Sequence, residues 1–388
     1  MLLNKNKKVR LTTKVDINLG YGCNAKCPFC YYYDSVVTKE NQENLTTAEA
    51  KERLRQAKKY GIEEIEFTGG EVTLRKDFIE LVTYAKQKLG FKVVCMITNG
   101  IVLADKDYAQ KLVSAGMDDI LFSVHGHNAE LHDRLTVTKG SFKRIMQAID
   151  NAVALGVRVR TNTVVCQLNY QHLDEIMQLL IEKQVDNLNL VMFNPIIQAK
   201  NLDVIQELYI SYADACAEMK KAIDKHQHHL PHLNIRYLPY CYMPGYEQYI
   251  INYDQMNFEP DEWNNYISFR LRKGRLISWG TTLIGILTLP YKKVALKYGF
   301  RGLLMAGFSR FYILKDKVKS SKCKDCSYNR VCDYMWKNYY ERYGDDEIAP
   351  IPGEKITHPA WSMNAARIRQ PGKLPAKTNK GLRPSYKL

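Results

Sequence analysis

Apolar, β-branched runs alternate with amphipathic segments through the first two thirds of the chain. The runs occupy residues 15–20, 64–69, 92–100, 119–126, 157–165 and 187–193. The segments between them that show helical periodicity are residues 46–61, 104–116, 141–156 and 173–184. Strands separated by single helices are typical of βα units, and this pattern predicts a mainly parallel sheet.

The predicted helices have recognisable ends. Thr46 is followed three residues later by Glu49, which is a capping-box pattern. Gly61, Gly116 and Gly156 close three of the helices, where a left-handed residue is expected. Six strands linked by right-handed crossovers predict an α/β fold, a partial (βα)6 TIM-like barrel over residues 1–225. In such folds the ligand lies at the carboxyl ends of the strands.

From about residue 226 the pattern changes to a Tyr- and Pro-rich sequence without helical periodicity. Within it, Lys273-Gly274 lies between two apolar runs and favours a β-hairpin. We therefore expect a smaller second domain over residues 226–360. The tail, residues 361–388, is basic and is expected to be flexible.

Charge and composition limit the cellular context. No apolar run has the length of a signal peptide or a membrane-spanning helix, so a cytoplasmic protein is expected. The net charge is +15, and residues 364–388 carry seven Lys and Arg with no Asp or Glu. This charge favours an acidic peptide, RNA or an anionic membrane surface as a partner, although a solvated tail explains it equally well. The oligomeric state is not predicted.

Three cysteines lie close together directly after the first predicted strand. Cys23, Cys27 and Cys30 fall within eight positions, and the first histidine of the chain is His125. Clustered thiolates in a reducing compartment indicate a zinc or an iron–sulfur site. A cluster held by three cysteines would leave one iron open to another ligand.

The spacing Cys23-x3-Cys27-x2-Cys30, with Phe29 before the last cysteine, resembles the signature of radical S-adenosylmethionine (radical SAM) enzymes. Gly69-Gly70-Glu71, after the second strand, resembles the GGE motif of that family. The resemblance implies a [4Fe–4S] cluster on the three cysteines and S-adenosylmethionine on its fourth iron. It also implies a 5′-deoxyadenosyl radical that abstracts a substrate hydrogen, and a reducing donor such as flavodoxin or ferredoxin.

The resemblance also suggests cofactor contacts. Gly69 and Gly70 would let the backbone approach the methionine moiety, and Glu71 would accept from its ammonium group. The strand-end residues Asn99, Ser123 and Asn162 would contact S-adenosylmethionine, with a purely structural role as the alternative for each. Many relatives carry an arginine where this chain has Thr136. His125 and His127 are predicted either to face the substrate or to lie in solvent.

A second cysteine group, Cys323-x2-Cys326-x5-Cys332, resembles the auxiliary-cluster region of SPASM and twitch domains. Cys241 is the best candidate for the fourth ligand. One auxiliary [4Fe–4S] cluster is therefore expected, and zinc is the alternative. Relatives of this kind often mature peptides or proteins, which makes such a substrate our first expectation. A small molecule, a lipid or RNA is the alternative, and a non-catalytic iron–sulfur scaffold is the least favoured reading.

Overall fold

The computed structural model describes residues 14–33, 36, 44–59, 61–194, 205–251, 264–287, 317–329 and 332–356, with isolated positions between 292 and 311. The chain divides into two compact units. One consists mainly of Asp16–Ile235 and the other mainly of Arg236–Arg369.

A seven-stranded sheet organises the first unit, and its strands lie side by side in chain order. The strands are β1 Lys14–Asn18, β2 Glu64–Thr68, β3 Val93–Thr98, β4 Asp119–Ser123, β5 Arg158–Val165, β6 Asn187–Met192 and β7 His232–Arg236. The pairs from β2 to β6 are all parallel. The carboxyl ends of these strands therefore share one edge, which is where the candidate site residues lie.

Helices connect successive strands. They are α1 Thr47–Lys59, α2 Phe78–Thr83, α3 Lys106–Ala115, α4 Ala129–Thr136, α5 Ser141–Ala154, α6 Leu173–Glu182 and α7 Tyr212–His226. Strand β5 shows how the sheet separates two environments, because its residues alternate strictly in burial. Val159, Thr161, Thr163 and Val165 are buried, whereas the intervening residues, beginning with Arg158, are less so. The predicted α/β partial-barrel fold is confirmed.

The predicted helix ends are also present. The Thr46 amide donates to Glu49 Oε2 over 2.8 Å, and the Glu49 amide donates to Thr46 Oγ1 over 3.2 Å. These reciprocal bonds form the capping box at the start of α1. Gly116 ends α3 with a φ of 113°, a conformation that glycine adopts without a Cβ clash.

Two features differ from the sequence-based expectations. Strand β7 joins the sheet as a seventh strand, although the pattern gave only six. The expected hairpin around Lys273-Gly274 is wrong, because the segment forms helix α8, Asn264–Leu287. Gly274 interrupts that helix with φ 83° and ψ 173°, so the glycine marks a kink rather than a strand turn.

A buried ion network joins three strands of the sheet. Arg160 of β5 donates from Nε to Asp119 Oδ1 over 2.6 Å and from Nη2 to Glu66 Oε1 over 2.7 Å. Both carboxylate side chains are buried. Their negative charges hold the pKa of Arg160 well above its usual value despite its burial, so the network is a fixed structural element of the sheet.

The second unit contains a short antiparallel pair, β8 Lys317–Val318 and β9 Met335–Trp336, followed by helix α9, Lys337–Tyr343. Across the part of the chain that the structure describes, no helix is both long and apolar enough to cross a membrane. The segment 289–315 mixes apolar, aromatic and cationic residues, which favours a membrane-surface helix. It lies largely outside the described residues, as does the tail, residues 361–388.

Candidate active site

The loop that carries the first three cysteines begins directly after β1 and is held by contacts from distant parts of the chain. Arg75 donates from Nη1 to the Leu19 carbonyl over 3.0 Å and to the Leu45 carbonyl over 2.7 Å. Further along the loop, the Lys26 amide donates to the Thr136 carbonyl over 3.0 Å. Thr136 thus supports the loop through its backbone carbonyl.

The GGE segment packs against this loop, backbone to backbone. The Gly70 amide donates to the Gly20 carbonyl and the Glu71 amide to the Gly22 carbonyl, each over 2.7 Å. A Cβ on Gly69 would lie 2.3 Å from the Gly20 oxygen, and one on Gly70 would lie 2.2 Å from the Gly22 oxygen. The two glycines are therefore required for contact with the cysteine loop itself, a reason that differs from the expected approach to the methionine moiety.

The carboxylate of Glu71 is buried and has four protein donors. Its Oε1 accepts from the Thr73 amide at 3.1 Å, from Thr73 Oγ1 at 2.6 Å and from Thr98 Oγ1 at 2.8 Å. Its Oε2 accepts from the Asn99 amide at 2.7 Å. Burial raises the pKa of Glu71, and these bonds oppose that rise. Glu71 therefore links β2 to the end of β3, and its expected contact with an ammonium group stays a prediction.

Asn99 extends the same network to the cysteines. Its Nδ2 donates to Asn24 Oδ1 over 2.7 Å and lies 3.8 Å from Cys23 Sγ. Asn24 was not singled out by the sequence, because the two asparagines are 75 positions apart and only the parallel sheet brings them together. The side chain of Asn99 thus contacts the first cysteine of the loop.

Within the part of the loop that the structure describes, Cys23, Cys27 and Cys30 are half-buried free thiols. Burial raises the pKa of each, and that of Cys30 rises to about 11. Amide N–H groups are directed at two of the sulfurs, from Ala25 to Cys23 and from Tyr32 to Cys30, each over 3.4 Å. Three thiols in one loop are the kind of donor set that holds an iron–sulfur cluster, so the residues present fit that group.

Two strand-end residues beyond the loop lie side by side. Ser123 ends β4 and is directly opposite Asn162 of β5 in the sheet register. Asn162 Oδ1 is buried and has no hydrogen-bond donor among the described residues. Such an acceptor fits a bound polar ligand. The predicted contacts of both residues with S-adenosylmethionine stay predictions.

The histidine after β4 is buried against the cysteine loop. The His125 ring meets Phe29 edge-on, with 4.5 Å between ring centroids, and its Nδ1 accepts from the Val164 amide. His132 accepts the His125 amide at Nδ1. Burial lowers the pKa of His125 well below its usual range and that of His132 to about 4, so both rings are neutral at pH 7. His125 is therefore not solvated, whereas His127 is half-buried and its ring centroid lies 5.0 Å from that of His172.

The second cysteine group lies in the other unit. Cys241, Cys323, Cys326 and Cys332 line one pocket. Apolar and aromatic side chains complete its wall, namely Pro239, Tyr240, Val318, Tyr328, Tyr334, Met335, Ile348 and Pro350, together with Asn329. Throughout the described residues, no three His, Cys, Asp or Glu side chains are arranged to hold a metal ion. The pocket nevertheless brings together the four cysteines that the sequence singled out, 91 positions apart at the extremes.

Comparison with known families identifies the first unit. Residues 17–180 match the radical SAM superfamily. This segment is similar to a radical SAM domain. The match spans β1 to α6 and so includes the cysteine loop, the GGE segment, Asn99, Ser123 and Asn162. The matched superfamily implies a [4Fe–4S] cluster and S-adenosylmethionine as cofactors of this segment.

Curated relatives of the radical SAM domain include a probable GTP 3′,8-cyclase of Saccharolobus solfataricus. It is 34% identical over 185 residues, which are 46% of this chain and 56% of the relative. A probable GTP 3′,8-cyclase of Sulfurisphaera tokodaii is 30% identical over 187 residues, covering 48% of this chain and 57% of the relative. The chain thus spans little more than half the length of these relatives.

Solved structures with a similar fold include Streptococcus suis SuiB bound to S-adenosylmethionine. It has 19% identity and a TM-score of 0.48, and the match covers 58% of this chain and 50% of SuiB. Methylornithine synthase has 19% identity and a TM-score of 0.45, with 59% of this chain and 65% of the synthase covered. At this level of similarity, neither structure indicates a substrate for this radical SAM domain.

Proposed function

We propose that this protein reductively cleaves S-adenosylmethionine and uses the resulting radical to abstract a hydrogen atom from a substrate. Cys23, Cys27 and Cys30 would hold the [4Fe–4S] cluster. The observation that carries the proposal is the placement of these three thiols in one loop of a radical SAM domain, at the carboxyl end of β1.

A cluster held by these three cysteines would supply the electron that cleaves S-adenosylmethionine reductively. The chain's own residues would bind the cofactors and hold the cysteine loop in place. Glu71 fixes the relation between the GGE segment and β3, and Asn99 fixes Cys23. The buried acceptor Asn162 Oδ1 is suited to a hydroxyl or amino donor of the cofactor, and Ser123 beside it offers a hydroxyl.

An anaerobic turnover assay tests the enzyme class. The iron-loaded protein is reduced with dithionite, S-adenosylmethionine is added, and 5′-deoxyadenosine is quantified. We expect 5′-deoxyadenosine from the wild type and none from Cys30→Ala, with Cys216→Ala, a buried cysteine of α7, as the control. If fully iron-loaded wild-type protein makes no 5′-deoxyadenosine, the enzyme proposal is rejected in favour of a non-catalytic iron–sulfur scaffold.

We also propose that the pocket of the second unit holds one auxiliary [4Fe–4S] cluster on Cys241, Cys323, Cys326 and Cys332. The four cysteines and the apolar wall of the pocket support this proposal. Four cysteines are the usual ligand set of a [4Fe–4S] cluster. The Tyr334 amide is directed at Cys332 Sγ over 3.4 Å, a contact that would stabilise a thiolate there.

Iron analysis tests the auxiliary site. Two clusters predict about eight irons per chain after anaerobic reconstitution. The double variant Cys323→Ala/Cys326→Ala should keep about four, all in the first site. Wild-type protein with about four irons and one zinc would instead establish the zinc alternative.

A peptide or protein substrate is our first proposal, since the net charge of +15 suits an acidic segment. A small molecule is the second candidate, and the similarity of the radical SAM domain to probable GTP 3′,8-cyclases favours it. RNA or a membrane surface would use the same basic charge. A reduced flavodoxin or ferredoxin is the proposed electron donor.

Deuterium transfer separates the substrate classes. Candidate substrates, with GTP as the first small molecule, are labelled with deuterium and incubated under reducing conditions. Deuterium in 5′-deoxyadenosine identifies the hydrogen donor. Transfer from GTP but from no peptide would reject the peptide proposal, and RNA is tested in the same way.

A further inference from the structure

Asn99 lies outside the cysteine loop, but its side chain donates a hydrogen bond toward a sulfur of that loop. Its Nδ2 lies 3.8 Å from Cys23 Sγ, which is within the range of a hydrogen bond to sulfur. It follows β3 directly, whereas Cys23 lies in the loop after β1. The contact therefore joins the end of one strand to a proposed cluster ligand 76 positions earlier in the chain.

The orientation of this amide follows from its other partners. Asn99 Oδ1 accepts from the Ile101 amide over 3.1 Å, and a backbone N–H can only donate. The opposite atom, which faces both Asn24 Oδ1 and Cys23 Sγ, must then be the NH₂ group. Asn99 thus presents two donors to the cysteine loop rather than a lone pair.

The backbone of Asn99 is fixed as firmly as its side chain. Its amide donates to the buried carboxylate of Glu71 over 2.7 Å. The amide N–H and the side-chain NH₂ group of Asn99 are therefore both held by described partners, and the side chain stays directed at the cysteine loop.

We infer that Asn99 is a positioning residue for the proposed cluster, and that its amide N–H donates to Cys23 Sγ and raises the reduction potential of that cluster. The inference rests on the proposed function, because it requires a cluster on Cys23. Hydrogen bonds to ligand sulfurs stabilise the additional electron of a reduced cluster, since they offset part of its negative charge. In this protein, one donor from β3 supplies that effect at Cys23.

Two substitutions separate the effect of the hydrogen bond that Asn99 donates from the effect of its side-chain size. Asn99→Asp keeps the size and the acceptor for Ile101 but directs an acidic oxygen at Cys23. We expect it to lower the equilibrium constant for reducing the cluster by about tenfold, which equals about 59 mV for one electron. Asn99→Ala removes the donor without adding charge and should shift the potential in the same direction by less.

The measurement is an EPR-monitored redox titration of the reconstituted full-length protein. The signal of the first cluster is recognised by its change on addition of S-adenosylmethionine. Asn151→Ala is the matched control, because Asn151 is also a buried asparagine and donates to the Leu103 carbonyl, in the turn that follows Asn99, but has no described hydrogen bond to the cysteine loop. We expect this variant to lower stability without moving the potential.

Each outcome decides between the hypotheses. Lower potentials in both Asn99 variants, with Asn151→Ala unchanged, support the inference. Fully loaded Asn99 variants with the wild-type potential refute it. If neither variant assembles the cluster while Asn151→Ala does, Asn99 serves assembly only, and the inference is rejected as well. A wild-type protein that forms no cluster on Cys23, Cys27 and Cys30 would instead overturn the proposed function.

Discussion

Gly70→Ala tests whether the GGE segment supports the cysteine loop by direct backbone contact. The added Cβ would lie 2.2 Å from the Gly22 oxygen and 2.7 Å from its carbonyl carbon. Both are backbone atoms, so no side-chain rotation can relieve the contact. The φ of Gly70 lies outside the left-handed region, and the substitution therefore acts through steric overlap alone.

The size of the effect follows from the distances. An ordinary contact of the Cβ begins near 3.4 Å, so the two segments must separate by about 1 Å. That displacement breaks the two 2.7 Å hydrogen bonds from Gly70 and Glu71 to the loop. Two lost hydrogen bonds at about 1 kcal/mol each, with about 1–3 kcal/mol for overpacking, give a loss of about 3–5 kcal/mol.

Urea unfolding followed by circular dichroism, and iron content after anaerobic reconstitution, measure the two consequences. We expect a lower unfolding midpoint and incomplete loading of the first cluster in Gly70→Ala. Gly22→Ala is the matched control, since a Cβ there meets nothing within 4 Å. If Gly70→Ala unfolds and loads iron like Gly22→Ala, the backbone contact does not support the loop.

Two further predictions concern buried charge. Arg160→Met removes the cation that the buried carboxylates of Asp119 and Glu66 share, although Arg158 still pairs with Asp119, and should lower the free energy of unfolding by about 3–5 kcal/mol. Lys221→Met, at an exposed ion pair, is the control, and a loss below about 1 kcal/mol in both variants would contradict this reasoning. The second prediction concerns acid. Burial lowers the pKa of His132 to about 4 in the folded state. As the pH falls, the unfolded chain therefore binds a proton at a higher pH than the folded chain does. Stability is then complete above about pH 6.5 and declines toward pH 4, by at most about 3 kcal/mol for this group. His132→Gln should flatten urea midpoints across that interval, and an unchanged slope would exclude His132 as the cause.

Much of the first unit could be predicted because its signals are local. A strand such as β5 alternates in the period of two that a half-buried strand requires, and α1 begins with side chains that satisfy its own first amides. The cysteine spacing and the GGE segment likewise lie within short stretches. Such features depend on residues close together in the sequence, so they can be recognised from the sequence alone.

The features that were not predicted depend on distant partners or on weak local signals. Strand β7 lies within the Tyr- and Pro-rich sequence assigned to the second domain, and its Asn234 donates from Nδ2 to Asn189 Oδ1 of β6. The sequence predicts a hairpin in place of helix α8 because Gly274 lies between two apolar runs. A glycine alone does not reveal whether the flanking residues are helical or extended, and here it interrupts a helix. The contact between Asn24 and Asn99 requires the order of the sheet to be known.

Hydrogen bonds from distant segments hold the cysteine loop. Two carbonyls of the loop accept from the GGE segment, Arg75 donates to the residue that precedes it, and Asn99 binds its first asparagine. If the proposed cluster is lost by oxidation, these bonds between protein groups should keep the loop in place. Damage at this centre should then be repairable by renewed delivery of iron and sulfide rather than by synthesis of a new chain.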